Sequence, residues 1–126
     1  MNDATFVSHL ECSLSRERFP ADTVQNLSQV GKPLLVRYDL EALGQHLTKD
    51  TLSKRPEELW RYREFLPVRQ AANRLSLGEP RTPLLTLDHW SQSQVTVKDE
   101  SRLPTGSFKA RGLCLAVSMA KELGIQ

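Results

Sequence analysis

No apolar run in this sequence approaches the roughly 20 residues that a membrane-spanning helix needs. The first residues, Met1-Asn2-Asp3-Ala4-Thr5, lack the basic start and apolar middle of a signal peptide. Cysteine is scarce: Cys12 and Cys114 are the two in 126 residues, and they lie far apart. Without an export signal they read as free thiols in a reducing cytoplasm, which excludes a disulfide-stapled secreted fold. Charge of one sign is also lacking, and a formal net charge of +2 is too small to argue for a nucleic-acid partner. Internal repeats and low-complexity tracts are absent. What remains is the composition of an ordinary soluble domain, 39% hydrophobic and 25% charged. The arginines between Arg55 and Arg81 stand among acidic and apolar residues, and they read as solvated helix faces.

Residues 5 to 12 form an imperfectly alternating strand candidate, and residues 13 to 31 are polar and turn-rich. Lys32 to Leu40 reads as a second strand with Leu34, Val36 and Tyr38 on one face, Pro33 suiting its first position. Two such strands around a loop make a small β appendage, too little for a stable domain alone. Asp39 to His46 has a weak helical pattern, and residues 47 to 55 read as a polar linker. Pro56 suits the first position of a helix, Glu57 and Glu58 suit its positive end, and Leu59, Tyr62 or Arg63, and Leu66 give it a stripe that ends at Pro67. Trp60, Tyr62 and Phe65 in this stretch are assigned to core packing. Val68 to Leu77 is looser, Gly78 to Pro83 forces an extended turn, and Leu84, Leu85 and Leu87 make a brief strand. The loop His89 to Ser93 then leads to Gln94 to Lys98, where Val95 and Val97 alternate with polar residues as in a half-buried strand.

Pro104 and Gly106 break that strand. From Ser107 onward Leu113, Ala116, Val117, Ala120 and Leu123 recur at helical spacing, and Gly124 is a natural stop. Lys109 therefore sits at a strand-to-helix junction, with Thr105 or Ser107 available as the N-cap. A cation at the positive end of a helix is disfavoured by several tenths of a kcal/mol. That placement suits a lysine wanted as a neutral amine, a nucleophile for Schiff-base chemistry; the bland reading is a lysine lying along the surface of its helix. The helical pattern runs to the last residues, and a strand-loop-helix unit needs a following parallel strand. The chain thus reads as the front of a longer protein.

Four blocks carry a resemblance. Leu59-Trp60-Arg61-Tyr62-Arg63-Glu64-Phe65-Leu66-Pro67, Leu77-Gly78-Glu79-Pro80-Arg81-Thr82-Pro83-Leu84, Val97-Lys98-Asp99-Glu100, and Pro104-Thr105-Gly106-Ser107-Phe108-Lys109-Ala110-Arg111-Gly112 follow the order and approximate spacing of the threonine synthase family. That family belongs to the tryptophan-synthase-β-like group of pyridoxal-phosphate enzymes. The resemblance covers roughly residues 33 to 126, and the last block is shared more loosely with threonine and serine dehydratases. It implies an α/β protein, the N-terminal portion of the type II pyridoxal-phosphate fold, in which residues 1–46 are a degenerate ribbon-like β appendage and residues 47–126 begin the catalytic domain. It implies that Lys109 forms the Schiff base with pyridoxal 5'-phosphate and shuttles protons. Phe108 would pack beside the cofactor. Pro104, Thr105, Gly106 and Ser107 would present the lysine, and Arg111 and Gly112 would form the first turn of its helix, Arg111 as a salt-bridge residue. The implied reaction converts O-phospho-L-homoserine and water to L-threonine and phosphate. Dehydratases, cysteate-synthase-like enzymes and an inactive truncated fragment are the alternatives, and the 126-residue chain alone is expected to be inactive. The implied setting is cytoplasmic, with a small-molecule substrate, no nucleic acid, no membrane and room for a homo-oligomer.

Two departures accompany the resemblance. Family members of this type often carry a cysteine-rich zinc ribbon ahead of the strand matching residues 33 to 40. Here that region keeps only Cys12; Ser15 or Arg16, Ser28 and Val30 stand where further ligands would be, so no metal is expected. Pro80 stands where glycine is common, which stiffens the turn. Gly106-Ser107-Phe108-Lys109 lacks the Gly-Lys adjacency of a phosphate-binding loop. His9, His46 and His89 read as surface or capping residues, and Cys114 as a small core residue.

Overall fold

The computed structural model describes residues 5–88 and 95–125; the loop expected at His89 to Ser93 lies outside them. The chain is mixed α/β, with two small antiparallel sheets and short helices. The first sheet has the order β2-β1-β3, with β1 at Val7–Cys12, β2 at Arg18–Phe19 and β3 at Leu34–Tyr38. Leu10 stands opposite both Phe19 and Val36, and Cys12 opposite Leu34. The register between β1 and β3 shifts between Val7 and His9, a bulge that explains why β1 alternates imperfectly in sequence. The sheet thus forms from the two expected strands plus β2, which lies within the stretch read as turns. The expected face of β3 does not become core: Val36 is 45% exposed and Tyr38 37%, Leu34 is half-buried, and on the other face Arg37 pairs with Glu11 at 2.6 Å.

Asp39 caps α1 (Leu40–His46), its Oδ1 accepting from Ala42 N at 2.9 Å, and Leu43 is the buried residue of that helix. The linker of residues 47 to 55 is not wholly irregular. It holds α2 (Lys49–Ser53), which Thr48 caps by accepting from Thr51 N. Phe6 ties the sheet to the segment beyond α2, its N–H donating to Glu64 O at 2.9 Å.

The helix expected to open at Pro56 is instead a 3-10 segment, Leu59–Phe65, kinked at Tyr62 and without a side-chain cap. Only Trp60 of its aromatics is core, 7% exposed; Tyr62 and Phe65 are 43% and 38% exposed. The other buried side chain of the segment is Glu64, gripped by Arg55 through two bonds of 2.6 and 2.7 Å. Arg55 also donates to Arg61 O, and Arg61 to Leu52 O, both at 2.6 Å. These arginines are therefore not solvated helix faces. Short, irregular segments leave carbonyls without ladder partners, and guanidinium groups, with five donors each, satisfy them.

Beyond a 3-10 turn at Ala71–Asn73, β4 (Leu84–Leu87) pairs antiparallel with β5 (Val95–Lys98), Leu84 opposite Lys98 and Leu87 opposite Val95. A 3-10 turn, Glu100–Arg102, leads to α3, Lys109–Glu122. Gly124 at φ 68° ends it as expected. Among the described residues no helix is long and apolar enough to cross a membrane.

Candidate functional site

The Lys98 to Gly112 stretch is built from local caps upward. Asp99 accepts from Ser101 N at 3.1 Å and caps the 3-10 turn; Leu103, 3% exposed, plugs the loop into the interior. Gly106 N donates back to Leu103 O at 2.8 Å, and its φ of 64° is a left-handed turn that favours glycine. The N-cap position of α3 is held by Phe108, with no side-chain cap bond, rather than by Thr105 or Ser107. Ser107 gives only a loose substitute, its Oγ accepting from Lys109 N at 3.3 Å. Lys109 is the first residue of α3 and is exposed, as is Phe108.

The charges around Lys109 are committed elsewhere. Arg102 pairs with Asp99 at 3.1 Å, Arg111 with Glu100 at 2.9 Å, and Lys98 lies 3.6 Å from Glu100. Among the described residues the Lys109 amine has no hydrogen bond or ion pair. The salt-bridge role expected of Arg111 is what it has. Its Nη2 donates to Pro80 O at 2.8 Å, so the proline standing in the turn supplies a carbonyl to the helix. Glu100 also accepts from the hydroxyl of buried Thr82. The Arg111 hydrogen bonds, followed by Thr82, bring the Glu100 carboxyl down to about 2.

The face of α3 that packs is not the one its large residues suggested. Leu113 and Val117 are 59% and 54% exposed, whereas Ala110 and Ser118 are buried and Cys114 is half-buried between them. This row of small side chains at i, i+4 and i+8 lets the 75–79 turn approach closely. Leu75 O accepts from Trp60 Nε1 at 2.8 Å and from Cys114 Sγ at 3.0 Å, and Leu75 N donates to Ser118 Oγ at 3.0 Å. Glu79, fully buried, accepts from Ser76 Oγ at 2.6 Å and Leu77 N at 3.1 Å. Burial pushes its carboxyl up, but the Ser76 and backbone donors outweigh that and hold it below the usual range. Burial and the Glu79 charge push the Cys114 thiol up to about 11. Leu113 and Val117 look onto a cavity of about 310 Å³, shared with Leu75, Leu77, Thr105 and Glu79.

In the N-terminal sheet Cys12 is fully buried, its Sγ 3.1 Å from Ser28 Oγ and accepting from Ser15 N at 3.3 Å. Among the described residues no three His, Cys, Asp or Glu side chains gather as metal ligands. His46 lies against the Phe6 ring, centroids 5.2 Å apart, and Ser8 Oγ is 2.9 Å from His9 Nδ1. Glu100, Thr82 and Glu79 stood in the sequence blocks without a role. No local pattern links Glu100 to a partner eleven residues on, and a carboxylate inside a Gly-Pro turn reads as exposed until the turn closes over it.

The chain is similar to curated threonine synthases. It is 33% identical to that of Methanocaldococcus jannaschii over 119 residues, 91% of this chain and 29% of the relative. With that of Methanosarcina acetivorans it shares 31% over 122 residues, 93% of this chain and 29% of the relative. With that of Halalkalibacterium halodurans it shares 48% over 69 residues, 52% of this chain and 20% of the relative. The chain thus spans less than a third of the length of these homologues. No family model and no solved structure matches it.

Proposed function

We propose that this chain, a homologue of the threonine synthases over part of their length, is the N-terminal part of a type II pyridoxal-phosphate enzyme whose Lys109 amine holds the cofactor. Residues 1–46 are its appendage and residues 47–126 the start of its catalytic domain. One observation carries the reading: Lys109 is exposed at the start of α3 with an uncommitted amine, while Lys98, Arg102 and Arg111 around it are all paired. An unpaired, accessible amine fits an aldehyde, which a lysine locked in a salt bridge does not. Pyridoxal phosphate, when bound, supplies the electron sink that lets a bond at the substrate α-carbon break. Lys109 Nζ would hold it, and as a free amine would be placed to take and return protons. Phe108, 67% exposed beside it, offers an apolar surface to a ring. The Gly106 turn sets the direction from which both side chains reach out.

The reaction proposed is that of the threonine synthases, O-phospho-L-homoserine and water to L-threonine and phosphate, in a soluble cytoplasmic setting. The test is borohydride reduction with pyridoxal phosphate followed by peptide mapping. A label concentrated on Lys109 is expected, and one spread evenly over the lysines rejects the assignment. For the protein carrying the remaining length of its relatives, phosphate release from O-phosphohomoserine is expected, and ammonia release from serine or threonine instead would make it a dehydratase.

A further inference from the structure

One carboxylate ties Lys109's helix to the rest of the molecule. Glu100 Oε2 accepts from Arg111 Nε at 2.9 Å, and Oε1 lies 3.3 Å from Arg111 Nη2, a two-pronged grip. The same Oε1 accepts from Thr82 Oγ1, and Lys98 Nζ stands 3.6 Å away while reaching Thr82 O at 3.3 Å. Arg111 in turn donates to Pro80 O. Residues 80–82, the end of β5 and the first turn of α3 therefore meet at one group. Arg111 and Glu100 are about equally shielded, their side chains 25% and 24% exposed.

This matters for Lys109 because of helix geometry. Residues two apart on an α-helix point about 200° away from each other. With Arg111 drawn onto Glu100, Lys109 is turned to the opposite side and outward. Packing of Ala110 and the bonds of Cys114 and Ser118 to Leu75 set the rotation of the helix as a whole, and the Glu100–Arg111 grip is the polar link at its first turn. Nearer the lysine, Phe108 provides no cap and Ser107 gives one bond of 3.3 Å, while the left-handed Gly106 turn is closed by its N–H on Leu103 O at 2.8 Å.

We propose that Glu100 and Arg111 are a positioning pair for Lys109, the carboxylate fixing the rotation of the first turn of α3 and with it the direction in which the amine is presented. The inference rests on the reading of Lys109 as the residue that takes pyridoxal phosphate. It adds that this amine depends for its presentation on a carboxylate nine residues before it.

The test uses the whole 126-residue chain with Glu100→Gln, Arg111→Gln, the double variant and the conservative Arg111→Lys. Pyridoxal phosphate and borohydride are applied, and the rate at Lys109 is divided by the rates at exposed Lys32 and Lys49 in the same sample. Amide hydrogen exchange over residues 105–112 is followed in parallel. Loss of a charge-assisted hydrogen bond is expected to lower the Lys109 ratio about tenfold in either glutamine variant. The double variant should fall no further, because both changes break one link, and Arg111→Lys should recover part of the loss. Exchange at 105–112 should quicken in step. A wild-type ratio and unchanged exchange in Glu100→Gln and Arg111→Lys overturn the pairing while leaving the cofactor reading intact. Additive losses in the double variant overturn it too. A wild-type chain that labels no faster at Lys109 than at Lys32 overturns the cofactor reading and this inference with it.

Discussion

Around the N-terminal sheet the buried residues are Val7, Cys12, Ser28 and Leu43, while from Pro56 onward Glu64, Glu79, Thr82 and Ser118 are buried alongside Trp60, Val68, Leu103 and Ala110. The sheet region closes mainly by backbone pairing: β1 is bonded on both edges, Ser13 N just beyond it donates to Pro33 O, and Cys12 Sγ reaches Ser28 Oγ. The later region has a two-stranded hairpin, one long helix and much irregular chain, so its backbone groups are satisfied by side chains. Buried carboxylates fill that role, and a buried charge is tolerable only while its partners stay in place. The region around Lys109 depends on a few pairs, and the N-terminal sheet on many weak bonds.

The largest expected difference tests that directly. Removing one partner of a buried ion pair costs about 3–5 kcal/mol, so Glu64→Ala, which takes the carboxylate from Arg55, should lower unfolding stability by about 3 kcal/mol in a urea titration. The matching change in the sheet is Glu11→Ala. Its partners Arg16 and Arg37 have side chains 66% and 40% exposed, and the loss should stay within about 1 kcal/mol. Equal losses would dissolve the contrast.

Acid should separate the regions next. The Arg111 and Thr82 bonds bring Glu100 from 4.5 to about 2, and donors hold Glu64 and Glu79 below 4.5 against burial. Because these folded values are depressed, their stabilisation is present above pH 4.5 and is lost as pH falls below it, for Glu100 toward about 2. Glu11 is lowered as well, by Arg37 first, but in a partly exposed pair whose effect is screened. Amide exchange read at intervals between pH 5 and 2 should quicken first over residues 75–112 and later in β1 and β3. Simultaneous quickening would show that the regions open as one unit.

Each region also carries one cysteine, which gives a separate probe. Cys12 is fully buried, though hydrogen bonds from Ser15 and then Ser28 bring its thiol down to about 7. Cys114 is half-buried with its thiol pushed up to about 11. Native Cys12 should resist alkylation for want of access, and Cys114 for want of thiolate. Pulsed alkylation across a urea series should therefore mark Cys114 at lower urea than Cys12, and the reverse order would assign the weaker region to the sheet.

The same chemistry decides how legible these regions are in the sequence. Alternation marks β3 and β5 and, imperfectly, β1; a leucine cluster marks β4, a weak helical pattern marks α1, and the periodicity after Ser107 marks α3, because each signal is local. The 3-10 segment at Leu59–Phe65 reads as a regular helix because its apolar spacing is helical; the competing fact, that Glu64 and Arg55 are buried together, lies nine residues away in sequence. The packed face of α3 is hidden for a related reason. Hydrophobic spacing selects Leu113 and Val117, but close approach of the 75–79 turn selects Ala110, Cys114 and Ser118, and only the turn's position reveals it. At the candidate site, Lys109 and Arg111 are legible from the loop and the resemblance, while Glu100 and Thr82 take on a role only once the hairpin brings them to Arg111.

The smallest expected effect uses a coincidence of backbone. Arg16 in the appendage and Gly106 before Lys109 share a φ of 64°. A side chain at that angle is disfavoured by about 1–2 kcal/mol, against the roughly 0.5–1 kcal/mol of extra chain entropy that glycine loses on folding. Arg16→Gly should therefore stabilise the chain by about 0.5 kcal/mol, slightly less if the exposed bond to Glu11 counts. Gly106→Ala should destabilise it by a similar amount with opposite sign, although a Cβ there meets no atom within 4 Å. The informative difference lies in what else moves. Arg16→Gly should leave pyridoxal-phosphate labelling at Lys109 unchanged, whereas Gly106→Ala should slow it, because the turn that aims the lysine is the one being altered. If both variants shift stability but neither changes the labelling, Gly106 serves only to close the loop, and the aim of Lys109 rests on the packing of α3 and its Glu100–Arg111 link.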